Sequence, residues 1–428
     1  MKLFRLLALL LAVALVAALT ACGTETGAAS SQAASQTSSR AVSAGSESAS
    51  SAPVDSSEVD PSQAQSEEGV SSVTASAGPT VYAKVTYDVA SATDKFRVGG
   101  RTMSVTAPVS GKKAMIYDHA GQGFFFNADC EGDVSAQIEM MTSDAENKRD
   151  LSFSVRVDGT ATRVTLDGSA AWQSLTLPIA KGLTRGVHTF EIYRCNEAVS
   201  GLVDLVSVTL TGAAQTYLAP QRALKMVVLG DSITSGSQLD GKSKVNEGKN
   251  ILSDCTRSYG FLCAEMLNAD FVIASRSGSY TAKDDTPNSI YYTYDYVSKR
   301  RDDTRYDSAG ESDVDVYVIS LGTNDNNKKN NQYIFTEQQI RDNIRALITR
   351  VRADHPNAKI VWTYGQLSTA RASVIRGAVE EMMAGDAKLY YYQYKKADNT
   401  GGAYHPTAAS HARDAQELAD FLRGTVLK

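Results

Sequence analysis

The chain has 428 residues, with 43 Lys plus Arg against 48 Asp plus Glu and a formal net charge of −5. That length accommodates two ordinary domains with segments to spare. No basic excess points to nucleic acid, and no strongly acidic balance points to a cationic partner.

The N-terminus, "MKLFRLLALLLAVALVAALTAC", has Lys2 and Arg5 followed by an unbroken apolar run over 6–19. This is the charged head and apolar body of an export signal. Its end, "LTAC", resembles a bacterial lipobox, which makes Cys22 the expected lipid attachment site of residues 1–22; an ordinary secretory signal is the alternative. Residues 23–79 then hold 17 Ser in 57 positions and no aromatic residue. Such a segment buries too little apolar surface to offset its ordering entropy, so a disordered Ser/Ala-rich tether is expected, with a reach of roughly 40 Å. Seven acidic residues there stand against Arg40, so most of the net charge lies in the tether and 80–428 is close to neutral. A lipid-anchored protein on the extracellular face of a bacterial membrane is the expected setting.

From 80 to 221 the texture is β. "VYAKVTYDV", "MSVTAPV", "GFFFNADC", "DVSAQIEMMT", "LSFSVRVDG", "ATRVTLDG", "WQSLTLPIA", "VHTFEIYRC" and "LVDLVSVTLTG" are short apolar or alternating runs separated by Gly, Asp, Asn and Ser. Turn signals at about every 8–12 residues predict an all-β sandwich or jelly roll.

From 223 to 428 the texture changes. The runs "MVVLG", "FVIAS", "VDVYVISLG", "AKIVWTYG" and "AKLYYYQ" are apolar on both faces, as parallel strands covered on both sides should be. Helical segments alternate with them. One starts at Ser253 or Asp254 and reaches Leu267, one spans about 336–352, and one follows a Thr407 cap. The pattern predicts a three-layer α/β domain, whose sites form at the C-terminal ends of the strands.

Those strand ends carry polar residues. The first strand runs into Gly230-Asp231-Ser232, the second into Arg276-Ser277-Gly278, the third into Gly322-Thr323-Asn324-Asp325, and His405 precedes the last helix. Each alone is ordinary turn chemistry. Together they supply what acyl transfer needs: a serine nucleophile, a histidine to take and return its proton, and donors for the oxyanion. Ser232 and His405 are the candidate catalytic pair. The N–H groups of Ser232 and Gly278 and the Asn324 amide are the candidate oxyanion hole, with Gly230 and Asp231 supporting the turn.

This set resembles the SGNH (GDSL-type) hydrolase superfamily. "GDSIT" is similar to its first block, "GTND" to its third and "YHP" to part of its last, while "ASRSGSY" supplies Gly278 as the weakest match. The resemblance implies a flavodoxin-like fold over 223–428. "KFRVGGRTM", "GQGFFFNADCEGD" and "GVHTFEIYRCNEAVSGLVDLVSVTLTG" resemble the N-terminal β-sandwich of carbohydrate esterase family 2, and "VWTYGQ" is similar to a strand motif of that family. The implied activity is removal of O-acetyl groups from polysaccharides of the xylan or glucomannan type. One position departs from the superfamily: the Asp usually found three residues before the His is Gly402. Some family 2 members also lack it and hold the imidazole with a backbone carbonyl. Asp398 is a conceivable substitute.

Other residues carry less. Cys130, Cys195, Cys255 and Cys263 allow one disulfide per half or four buried thiols. No cysteine or histidine cluster has zinc spacing, so no metal and no cofactor are expected. His411 reads as a surface residue, Trp362 as either core or pocket wall, and the tyrosines at 291–296 and 390–394 as packing rather than sugar platforms. The expected protein is a monomeric, surface-anchored serine esterase acting on acetylated polysaccharide. The alternatives are an SGNH esterase for cell-envelope or lipid esters, and a carbohydrate-binding lipoprotein with a lapsed catalytic domain.

Overall fold

In the computed structural model, which describes residues 80–428 apart from 144, 146, 147, 299–303, 312 and 330, the alternating runs of the first half pair into a single sheet. Its strands are β1 (Ala83–Asp88), β2 (Arg97–Val98), β3 (Ser104–Thr106), β4 (Lys113–Ile116), β5 (Gly123–Met141), β6 (Asp150–Val157), β7 (Thr160–Asp167), β8 (Gln173–Arg194) and β9 (Leu202–Tyr217). The order is β3-β4-β9-β5-β8-β6-β7, with β1 beside β9 and β2 beside β5. All these pairings are antiparallel. Two expected turns are absent. "GFFFNADC" and "DVSAQIEMMT" run on as β5, and "WQSLTLPIA" and "VHTFEIYRC" as β8. Register shifts around 130–135 mark bulges there, which bend a long strand without ending it. Phe126, Ile138, Phe153, Phe190 and Leu210 share the apolar core of this half. Fully burying such side chains contributes about 1.5–3 kcal/mol each.

The second half is built on parallel strands. They are β10 (Leu224–Gly230), β11 (Ala269–Ser275) and β12 (Val316–Ser320); then, after a small hairpin of β13 (Lys328–Lys329) and β14 (Gln332–Tyr333), β15 (Lys359–Tyr364) and β16 (Leu389–Gln393). Their order, β11-β10-β12-β15-β16, is the 2-1-3-4-5 order of a doubly wound sheet. The helices are α1 (Tyr259–Met266), α2 (Ile290–Tyr294), α3 (Glu337–Asp354), α4 (Ala372–Met383) and α5 (Ala408–Phe421). Val227 and Leu229 pack in a core with α2, α3 and α4, while their neighbours Met226 and Val228 pack with α1 and α5. Alternate residues of one strand thus face two helical layers, which is why the run is apolar throughout.

Helix starts follow their caps. Thr336 and Gln339 form a capping box on α3, and Thr407 caps α5. The first helix begins later than its sequence suggests: 250–257 hold two short 3₁₀ turns, and Ser258 caps α1. Helix α4 has no side-chain cap and follows Arg371 at φ 66°, so no local signal marks its start.

The two halves pack as one compact unit. Arg101, buried, crosses between them, donating to the carbonyls of Thr293 and Tyr294 and pairing with Glu311. All four described cysteines are buried free thiols, so the disulfide option for Cys130, Cys195, Cys255 and Cys263 is not realised. The expected export signal, lipid attachment at Cys22 and Ser-rich tether fall on 1–79, outside the described residues.

Candidate active site

The site forms where β10, β11 and β12 end. Beyond Gly230 the chain turns tightly: Asp231 Oδ1 accepts from Ile233 N (3.0 Å), and Ser232 O accepts from Ser237 N (3.0 Å). Ser232 is left half-buried on the turn. Asp231 is buried. Burial, with the nearby Asp325 and Glu197 carboxylates, pushes its pKa up to about 7.

His405 Nε2 lies 2.8 Å from Ser232 Oγ. Its Nδ1 lies 3.1 Å from the carbonyl oxygen of Ala403. A carbonyl only accepts, so Nδ1 carries the proton and Nε2 turns its lone pair to the serine hydroxyl. Burial lowers the His405 pKa, against the raising effect of the Ala403 and Gly402 carbonyls. Ala403 and Tyr404 are both left-handed, at φ 49° and 61°. Each costs about 1–2 kcal/mol for a residue with a Cβ. Neighbouring bonds hold this conformation: Ala403 N to Val245 O (2.8 Å) and Lys244 N to Gly401 O (2.8 Å). Asp398 braces the loop from below, accepting from Thr400, Thr407 and Ser410. It makes no hydrogen bond to His405 among those described and does not replace the missing Asp.

Gly278 sits in the tight turn 276–279, closed by Ser279 N to Arg276 O (3.2 Å), with φ +82°. That is the glycine position of a type II turn. Among the described residues neither Gly278 N–H nor Ser232 N–H donates to a protein acceptor. Asn324, after β12, is differently placed. Both hydrogens of its amide are engaged, one by Ser279 O (2.9 Å) and one by Asp231 Oδ2 (3.2 Å). An oxyanion would have to displace one of these acceptors, and the longer Asp231 contact is the weaker. The next residue, Asp325, accepts from Thr281 and has its pKa raised to about 6 by burial.

Ser232, Gly278, Asn324 and His405 line one cavity of about 440 Å³, with Gln238, Asn246, Leu367 and Tyr404. A wider groove of about 1030 Å³ beside Tyr292 and Tyr296 lies apart from these residues. Tyr404 is exposed beside His405.

The remaining candidates separate clearly. Trp362 is buried in the core of β15 and lines no part of the cavity. The tyrosines at 390–392 pack against the two helical cores, and Tyr291 and Tyr294 are buried. His411 is not on the surface. It is fully buried, its Nδ1 accepting from Tyr259 N (3.2 Å) and its ring stacked on Tyr259. It lies four residues before Ala415, on the face that carries Ala415, Leu418 and Ala419, so the helical period itself points it toward α1. Sequence reading also missed Glu197, which reaches the Ser277–Gly278 turn from the other half of the protein. No local spacing could reveal it, since the two lie 80 residues apart.

Residues 228–416 match the GDSL-like lipase/acylhydrolase family. The chain is 26% identical over 266 residues to a cellulase/esterase of Acetivibrio thermocellus, covering 58% of this chain and 31% of that protein. It is 29% identical over 259 residues to an acetylxylan esterase/glucomannan deacetylase of Cellvibrio japonicus, covering 56% of this chain and 67% of that protein. The chain thus spans less than a third of the first relative's length. An acetyl xylan esterase structure from the rumen bacterium Butyrivibrio proteoclasticus superimposes with a TM-score of 0.67 at 21% identity, over 80% of this chain and 99% of that one, so the two share a fold.

Proposed function

We propose that this chain, which carries a GDSL-type lipase/acylhydrolase domain and shares its fold with family two carbohydrate esterases, is a serine esterase that removes O-acetyl groups from polysaccharide. The observation that carries the chemistry is the 2.8 Å contact between His405 Nε2 and Ser232 Oγ in an open cavity. The carbohydrate side of the reading comes from the relative named acetylxylan esterase/glucomannan deacetylase. The exposed Tyr404 ring beside His405 offers a sugar an apolar face.

In this reading Ser232 Oγ attacks the acetyl carbon while His405 Nε2 takes its proton. The N–H groups of Ser232 and Gly278 receive the oxyanion, and Asn324 turns one amide hydrogen from Asp231 to join them. Collapse of the tetrahedral intermediate returns the proton to the departing sugar oxygen and leaves an acetyl-serine. His405 then deprotonates a water that attacks the acetyl carbon, and acetate leaves as Ser232 recovers its proton. Loss of one oxyanion donor, as in Asn324→Ala, costs about 10²–10³ in rate. We read the nine-stranded half as the sandwich of the family 2 arrangement. The protein acts as a lipid-anchored monomer outside the cell membrane, held through Cys22. The test is acetate release from acetylated xylan and glucomannan by wild type and Ser232→Ala. Release at wild-type rate by Ser232→Ala, or wild-type preference for long acyl chains over acetyl, counts against it.

A further inference from the structure

Glu197 belongs to the β half, in the loop between β8 and β9, yet its carboxylate ends in the turn that carries Gly278. One oxygen accepts from Ser277 N (2.7 Å) and the other from the Ser277 hydroxyl. The carboxylate is buried. Its loop is fixed in turn. Arg194, fully buried, donates to the carbonyls of Asn196 (2.8 Å), Glu197 (3.2 Å), Gly201 (2.5 Å) and Tyr117 (2.8 Å). Asn196 ties the same loop to the α/β half through Asn250 O (2.8 Å), and Cys195 O accepts from Cys255 N (2.9 Å). The side chain is therefore delivered by a rigid strap.

The N–H groups of the turn account for its effect. Arg276 N donates to Gly230 O, Ser279 N to Arg276 O, and Ser277 N to Glu197. Among the described residues Gly278 N–H is the one donor of this turn left without a protein acceptor, and Gly278 lines the cavity. Glu197 takes the one other donor of the turn that no backbone group satisfies and locks the Ser277 side chain with it. Ser235, in the nucleophile turn, bonds to Ser275 Oγ (2.9 Å) and approaches Glu197 (3.5 Å), so the two turns meet at this carboxylate. We propose that Glu197 is a positioning residue for the oxyanion hole, placing Gly278 N–H from the β half, so that turnover depends on the docking of that half. This rests on the reading of Ser232 as nucleophile and Gly278 as oxyanion donor.

The experiment compares Glu197→Ala, Glu197→Gln, Ser277→Ala and Ser232→Ala with wild type in the full chain, using 4-nitrophenyl acetate turnover, inhibition by a short alkyl boronic acid, and thermal melting. A boronate adduct places an oxygen in the oxyanion hole, whereas ground-state substrate binding does not require it. For Glu197→Ala, kcat should fall about 10- to 100-fold with KM within two-fold, and the boronate Ki should rise in parallel. Glu197→Gln, which keeps one acceptor oxygen, should fall between Glu197→Ala and wild type. Ser277→Ala should show the same kcat-against-KM split more weakly, and it tests the contact should Glu197→Ala fail to fold. Wild-type kcat and boronate affinity in the folded Glu197 and Ser277 variants, with Ser232→Ala inactive, overturn the role of Glu197 alone. An active Ser232→Ala overturns the esterase reading and this proposal with it.

Discussion

The carbonyl oxygen of Ala403 lies 3.1 Å from His405 Nδ1, in the place where an SGNH hydrolase usually has a carboxylate. The carbonyl sets the tautomer as an aspartate would but brings no full charge to stabilise the imidazolium. Restoring the aspartate is blocked by packing. A Cβ on Gly402 would lie 2.5 Å from Gln238 O and 2.6 Å from Gly241 Cα, both backbone atoms. Gly402→Asp is therefore expected to lower both kcat/KM and melting temperature. A gain in activity would show that the loop can re-form around a carboxylate.

The pH profile follows from the environment of His405. The base works only when neutral, and burial lowers its pKa from the ordinary 6.5. The neutral form therefore persists to lower pH. The acid limb of kcat/KM, measured with corrected 4-nitrophenyl acetate rates from pH 4 to 9, should have its inflection below 6.5. An inflection above 6.5 would mean that a nearby anion dominates the site.

Asp398 is a brace for the loop that carries His405. Burial raises its pKa, but hydrogen bonds from Thr400, Thr407 and Ser410 outweigh this and hold the carboxyl well below its usual range. Its folded pKa is below the unfolded value of 3.8, so its contribution is present above pH 3.8 and lost as pH falls through the folded pKa. Asp398→Asn should cost about 1–3 kcal/mol at pH 7 and reduce kcat by loosening the loop. The stability gap to wild type should stay constant from pH 5 to 8 in denaturant titrations, and a gap that closes within that range would contradict the assignment.

His411 is neutral and buried, with its pKa lowered to about 3 by burial and by His405. The unfolded chain takes up this proton near pH 6.5 and the folded chain does not, so stability falls as pH drops from 6.5 towards 3. Phenylalanine cannot titrate. His411→Phe should be less stable than wild type at pH 7, because Tyr259 N loses its acceptor. The gap should narrow by on the order of 1–3 kcal/mol between pH 7 and 4. A gap that widens on acidification would show that His411 is charged in the fold.

Much of this was legible in the chain because the signals are local. Apolar runs at 226–229 and 316–319 read as buried strands, 336–352 as a helix and Thr407 as a cap, since period and capping act within a few residues. The same local reading failed at 130–135, where Gly and Asp bend one strand instead of closing a hairpin. A bulge and a turn use the same residue types, and only the pairing partner decides between them. His411, read as a surface residue, lies at helical spacing from Ala415 on the face that packs against α1, and the cysteines stayed open between bridges and buried thiols until distance decided for thiols.

By itself the sequence determined the parallel strands, the residues at their ends, and the absence of an aspartate three positions before His405, because each is written in one contiguous stretch. The tertiary structure decided what stands in for that aspartate, which hydrogens of Asn324 are engaged, and which half of the protein holds the Gly278 turn. Those outcomes join Ala403 to His405, Asp231 to Asn324 and Glu197 to Ser277. They depend on backbone angles and on contacts between segments distant in sequence, which form only in the folded chain, and the Glu197 contact forms only where the two halves meet.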